Sequence, residues 1–230
     1  MSKPLLQVRN LTTKFGNGPS AITAVNNVSF EVNAGETVAI VGESGSRKSV
    51  TALSILQLVP DPPGRITDGE ILFDGVDLTK LQEEEMRAIR GNRIAMIFQE
   101  PMTSLKPSLT IGLQIAEPIN LHKQLPWQKA YDKEREVLDR VQMPDALSRL
   151  SAHQHQFSGG MRQPIMIATA LACQPKLITA DEPTTALDVT VQAQILELLK
   201  ELTRETGSAL MLITHDLGVV ARYADRVCVM

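Results

Sequence analysis

Thr37-Val38-Ala39-Ile40-Val41-Gly42-Glu43-Ser44-Gly45-Ser46-Arg47-Lys48-Ser49 is the stretch on which the fold turns. An apolar β-branched run ends in a glycine-bearing turn, and Lys48-Ser49 opens a segment, Val50 to Leu58, whose apolar residues fit a helix. Strand, loop and helix in that order leave the first N–H groups of the helix without backbone partners, backed by the positive end of its dipole. Such a junction holds a phosphate. The spacing from Gly42 to Lys48-Ser49 is that of the phosphate-binding P-loop, G-x-x-x-x-G-K-[ST], in which Lys48 reaches the β- and γ-phosphates and the Ser49 hydroxyl ligates Mg2+. Arg47 stands where this pattern has its second glycine, adding a Cβ to a turn built for none. With a positive φ there, the strain is on the order of 1 kcal/mol or more, and weakened phosphate binding is the expectation.

Around that stretch, 230 residues suit one α/β domain with a sizeable insertion, or two small lobes. Hydrophobic residues at 43% and charged residues at 21% exclude a disordered chain. A net charge of −3 gives no global reason to expect nucleic acid or anionic lipid as a partner. Cys173 and Cys228 lie far apart without C-x-x-C spacing, so both read as buried small hydrophobes of a reducing cytosol rather than a disulfide or zinc pair. No run approaches 18 apolar residues, and Met1 to Asn10 has no basic start followed by an apolar core. The expectation is a chain neither exported nor membrane-spanning, free to dock on a membrane protein.

Upstream of the P-loop, Leu5 to Leu11 and Val25 to Val32 have strand character, with Val28, Phe30 and Val32 alternating with polar residues. Between them Phe15 reads as a core aromatic, the commoner fate of a lone Phe. Downstream, Gly69 to Phe73 and Arg93 to Phe98 read as strands around a short charged helix, Leu81 to Arg90. From Thr103 to Leu150 the texture changes to helices punctuated by Pro107, Pro118, Pro126 and Pro144, among them an amphipathic helix at Gln128 to Val141. His153 and His155, at i and i+2 without acids or thiols nearby, read as loop residues and not as metal ligands. Lys176 to Ala180 is an apolar strand delivering Asp181 and Glu182 at its C-terminal end, where ligands bind in a parallel sheet. Asp188 then caps a helix that Gly207 stops, and Ala209 to Thr214 is a buried strand ending in His215-Asp216.

The order Gly42…Lys48-Ser49, Gln99, Ser158-Gly159-Gly160-Met161-Arg162-Gln163, Leu177 to Pro183, Thr185-Ala186-Leu187-Asp188 and His215 closely resembles the ATP-binding subunits of ABC transporters. Val41 to Ser49, Ile97 to Leu105 and Ala180 to Leu198 look like the peptide and nickel importer branch, the dipeptide and oligopeptide permease ATPases. The resemblance covers nearly the whole chain. It implies an α/β P-loop NTPase fold of the ABC ATPase type, with a β-rich N-terminal part and an inserted helical subdomain at about 101–172 of a domain spanning 1–230. The implied activity is ATP hydrolysis coupled to import of peptide-type solutes, with ATP and Mg2+ as cofactors.

The resemblance also assigns roles. Gly42, Glu43, Ser44, Gly45, Ser46, Arg47, Lys48, Ser49 and Val50 would hold the nucleotide, and Phe15 would stack on adenine, which overrides its reading as a core residue. Asp181 and Ser49 would hold Mg2+, Gln99 would sense it and link to the membrane subunit, Glu182 would orient and deprotonate the attacking water, and His215 would contact the γ-phosphate. Ser158, Gly159 and Gly160 would face the ATP on a partner subunit across an interface that the Asp188 loop crosses. Implied partners are two transmembrane permease subunits, a second ATP-binding subunit, the same or different, and indirectly an extracytoplasmic solute-binding protein, with no nucleic acid. The implied location is the cytoplasmic face of the inner membrane, peripherally bound.

Three features depart from the family. Besides Arg47, Pro164 stands where the family has Arg; it removes an N–H and presses on the Gly160 carbonyl, so outside the first turn a kink costing ~3 kcal/mol is expected, with the signature misaimed. The family also continues beyond Met230. Together they raise an alternative: a hydrolytically impaired or truncated nucleotide-binding or assembly subunit.

Overall fold

The computed structural model describes residues 3–230 apart from 44, 46, 101–103, 142–145 and 186. Ser44 and Ser46 of the P-loop therefore lie outside the described residues, as does Pro101, where the helical subdomain is expected to begin. In chain order the elements open with β1 (Leu6–Phe15), β2 (Ile22–Val32), β3 (Thr37–Val41), α1 (Lys48–Ile55), β4 (Gly64–Phe73), β5 (Val76–Asp77) and α2 (Glu83–Ile89). Then come β6 (Ile94–Ile97), α3 (Ile111–Lys123), α4 (Trp127–Arg140), α5 (Gly159–Leu171) and β7 (Leu177–Asp181). The chain closes with α6 (Val189–Thr206), β8 (Ala209–Thr214), α7 (Leu217–Tyr223) and β9 (Arg226–Val229). They fall into two compact units, 1–90 with 209–230, and 91–208.

The first unit holds an antiparallel sheet in the order β2-β1-β4-β5. Leu6, Val8 and Leu11 of β1 are buried with Val25, Val32, Ile71 and Phe73 from its neighbours. The unit also contains parallel strands with β3 between β8 and β9, in register Val41 with Thr214 and Val41 with Val229. Flanked on both sides, β3 is buried at all five residues, which is why it reads as an unbroken apolar run. Arg226 Nε donates to Glu36 Oε1 at 2.7 Å and Thr37 N to Asp225 Oδ2 at 2.8 Å, fastening β9 to the start of β3. The Arg226 guanidinium holds the Glu36 carboxyl below its ordinary range.

Several boundaries differ from the sequence reading: β1 runs on to Phe15 instead of Leu11, and β2 starts at Ile22 instead of Val25, because the two pair along that length. β4 begins at Gly64 rather than Gly69, because Gly64 pairs with Phe15 of β1 and that long-range pairing overrides the local turn residues. α1 stops at Ile55 short of Leu58, where Gln57 turns the chain with φ 50°.

In the second unit β6 and β7 pair in parallel, Ile94 with Leu177 through Ile97 with Ala180. α5 covers this pair with a stripe that buries Ile165, Met166 and Ile167. Pro126 is the N-cap of α4, but Pro118 lies inside α3 instead of ending it. Pro164 is the sixth residue of α5, beyond the first turn, and the helix runs unbroken to Leu171. The carbonyl that Pro164 cannot serve belongs to Gly160, at the exposed start of the helix. No helix among the described residues is long and apolar enough to cross a membrane.

Candidate functional site

Because β3 and β8 are parallel and Val41 is in register with Thr214, Gly42 and His215 leave the same C-terminal edge of neighbouring strands. Lys48, the first residue of α1, is 5% exposed. Its Nζ donates to Gly42 O at 2.8 Å and Glu43 O at 3.2 Å, so the ammonium closes the loop on itself. Gly45 has φ 86°, a conformation that a Cβ disfavours. Arg47 meets the condition for strain set by the sequence, with φ 64° and ψ 29°, and its Nη1 donates to Thr23 O of β2. Ser49 and Val50 are half-buried in the first turn of α1, and Glu43 is exposed. His215 is exposed, just before Asp216, whose Oδ1 accepts from Gly218 N at 2.7 Å and caps α7.

Phe15 is half-buried at the end of β1. Its ring packs where a side chain on Gly64 would stand: an added Cβ would meet Phe15 Cε1 at 2.7 Å and Val59 Cγ1 at 2.5 Å. Glycine at 64 thus makes room for the ring.

In the second unit β7 delivers Asp181, 5% exposed, and then the half-buried Glu182. Glu182 has φ 44°, a strained left-handed backbone for a residue with a side chain. Gln99 lies two residues past Ile97, Glu182 two past Ala180, and those two are in register. Gln99 Nε2 accordingly donates to Glu182 Oε2 at 3.1 Å. Asp188 caps α6, its Oδ1 accepting from Thr190 N at 3.1 Å and Val191 N at 3.0 Å.

Three residues enter this network without having been singled out in the sequence for a role in it. Thr185 Oγ1 donates to the same Glu182 Oε2 at 2.9 Å. Gln163 of α5, 2% exposed, donates through Nε2 to Pro183 O. Gln192 of α6 donates to Thr184 O at 3.1 Å and Leu187 O at 3.3 Å. A signal existed for Gln163, since it shares the buried stripe of α5 with Met166, Ile167 and Ala170 at i, i+3, i+4 and i+7. No periodicity marks Thr185 or Gln192.

Ser158 is the N-cap of α5, and an added Cβ at Gly159 would meet nothing within 4 Å, so this helix N-terminus is open to approach. The segment before it is anchored by Phe157, 3% exposed, with the Arg149 guanidinium 5.9 Å over its ring. His153 and His155 stack on each other, ring centroids 5.8 Å apart. In the second unit the carboxylate of Asp181 and the amide of Gln99 offer hard oxygen donors, and in the first the Ser49 hydroxyl is another, the chemistry that suits Mg2+ rather than a soft metal.

The family model described as ABC transporter matches residues 25–185. The chain is 55% identical over 229 residues to the peptidoglycan transport ATP-binding protein YejF of Agrobacterium fabrum, covering 100% of this chain and 42% of that protein. It is 54% identical over 226 residues to the dipeptide transport ATP-binding protein DppD of Bacillus subtilis, covering 98% of this chain and 68% of that one. The chain thus spans less than half of the first relative and about two thirds of the second. Among solved structures, a dimeric ATP-binding cassette in a post-hydrolysis state, bound to ADP and Pi, superposes with a TM-score of 0.86 at 31% identity, over 98% of this chain and 94% of that one.

Proposed function

The chain belongs to the ABC transporter family, and from that membership we propose that it is the ATP-binding subunit of an importer of peptide-type solutes, coupling hydrolysis of Mg-ATP to transport across a membrane. The names of the two relatives, dipeptide and peptidoglycan transport ATP-binding proteins, support the solute class. In this reading residues 1–230 are one ATP-binding domain with a helical subdomain at about 101–172. It works at the cytoplasmic face of the inner membrane beside two permease subunits and a second ATP-binding subunit, served indirectly by an extracytoplasmic solute-binding protein.

Bound Mg-ATP supplies the γ-phosphorus, the ADP leaving group and the cation that screens their charge. The chain supplies the rest. The N–H groups of the loop and of the first turn of α1 cradle phosphate oxygens, Lys48 neutralises them, and the half-buried Phe15 offers its ring to adenine. Ser49, Asp181 and Gln99 would be the residues to hold Mg2+, which would screen the phosphate charge. Glu182 takes the proton of the attacking water, and His215 steadies the γ-phosphate. Ser158, Gly159 and Gly160 at the open end of α5 offer a helix N-terminus to the nucleotide of the second subunit, with Asp188 on the same interface.

The observation that carries the reading is the carboxylate of Glu182, next to the buried Asp181, with Gln99 Nε2 at 3.1 Å. Glu182→Gln keeps the shape and removes the base, so Mg-ATP turnover should fall about 100-fold or more while nucleotide binding persists. Turnover that survives this substitution would sink the assignment of Glu182 and with it the hydrolytic role.

A further inference from the structure

Glu182 is a half-buried side chain with three rotatable bonds on a strained backbone, so the placement of its carboxylate depends on the groups that bond it. Two donors from different segments converge on one of its oxygens: Gln99 Nε2 at 3.1 Å and Thr185 Oγ1 at 2.9 Å, both on Oε2. A single donor leaves that oxygen room to swing; two donors from different segments restrain it. Gln99 stands two residues past β6 and has a role by the family resemblance, whereas Thr185 is quoted in a motif of that resemblance without one.

Thr185 also sits on a well-fixed loop. Its own N–H donates to Glu182 O at 3.2 Å, closing a turn from 182 to 185. Gln163 holds that turn at Pro183 O from α5, and Gln192 holds it at Thr184 O from α6. A hydroxyl on a loop restrained from two helices is a fixed reference point for a mobile carboxylate. The exposed flank of Thr185 fills no core space, so its side chain is not needed for packing.

We propose that Thr185 is a positioning residue for Glu182, its hydroxyl setting the carboxylate orientation from which the attacking water is deprotonated. The inference rests on the hydrolytic role of Glu182. The step it serves is balanced within that reaction: the water oxygen bonds to the γ-phosphorus, the bond from that phosphorus to the β-phosphate oxygen breaks, and the water proton passes to Glu182, giving ADP and phosphate. Thr185 transfers nothing and gains nothing.

The test compares the full chain with Thr185→Val, Thr185→Ser and Glu182→Gln. Valine matches threonine in shape and β-branching but has no hydroxyl. Serine keeps it. Thr185→Val should lower kcat about tenfold, the worth of one hydrogen bond to a charged group, with KM for Mg-ATP and the melting temperature unmoved, and Thr185→Ser should restore kcat. A second reading needs no turnover: the 13C carboxyl resonance of Glu182, identified by its loss in Glu182→Gln, should move in Thr185→Val and return in Thr185→Ser. An unchanged kcat in Thr185→Val, an unmoved resonance, or a loss of kcat that serine does not restore overturns the inference while leaving the hydrolytic role intact, provided Glu182→Gln is inactive. Turnover that persists in Glu182→Gln overturns both.

Discussion

At Arg47 the backbone adopts φ 64° and ψ 29°, the left-handed region that a P-loop glycine reaches without cost. Arg47 accepts the strain of that backbone, and its Nη1 donates to Thr23 O. These two facts separate stability from binding. Arg47→Gly should raise unfolding stability by about 1 kcal/mol, because the strain disappears where glycine is at ease. A Mg-ATP titration of the native chain and of Arg47→Gly should return similar affinities, since residue 47 already holds a backbone that glycine adopts and its side chain is engaged with Thr23 O. Binding seen only in the glycine variant would show instead that the side chain obstructs the phosphates, the outcome that a reading of the sequence alone favours. The presence of the P-loop was legible from Gly42 and Lys48-Ser49 because its chemistry is local; the engagement of Arg47 with β2 was not, because Thr23 lies 24 residues away.

At the scale of elements, α3 and α4 meet around a buried charge. Glu134 of α4 is 0% exposed, and neither carboxylate oxygen has a hydrogen-bond partner among the described residues. Gly112 of α3 makes the space, for a Cβ there would stand 2.6 Å from Glu134 Oε1. Burial pushes the Glu134 carboxyl up from 4.5 to about 7, and the nearby Arg135 only partly opposes it. The folded chain therefore holds this proton more tightly than the unfolded one. Its contribution is full below about pH 4.5 and is lost as pH rises through about 7, on the order of 3 kcal/mol across that window. Urea unfolding at pH 5 and pH 8 should show the native chain weaker at pH 8 by that order, and Glu134→Gln should flatten the difference. A slope that survives the substitution would place the titration elsewhere. The amphipathic pattern at Gln128 to Val141 announced α4 correctly, yet gave no hint that one of its acids points inward, since Glu134 looks like every other charge in that run.

For the molecule as a whole, what was legible followed from how far each feature reaches along the chain. The P-loop junction, the acidic pair after β7 and the Asp188 cap rest on neighbours in sequence, and each could be read directly. The start of β4 at Gly64, the left-handed backbone of Glu182 and the convergence of Gln99 and Thr185 on one oxygen depend on strand register and on segments up to 83 residues apart. Such pairings leave no local pattern. Assembly is the remaining step at this scale, and α5 offers a clean way to test it. A Cβ at Gly159 meets nothing within 4 Å, so Gly159→Asp should fit the isolated chain without strain, and a carboxylate in the first turn of a helix is if anything stabilising. The same carboxylate would repel the phosphates of a nucleotide presented by a second subunit. In the Glu182→Gln background, where ATP is held and not consumed, sedimentation should show a Mg-ATP-dependent dimer; adding Gly159→Asp should return the chain to monomer with its melting temperature unchanged. A dimer that tolerates the aspartate means that this helix end does not face the shared nucleotide, and the head-to-tail arrangement proposed for the two subunits falls with it.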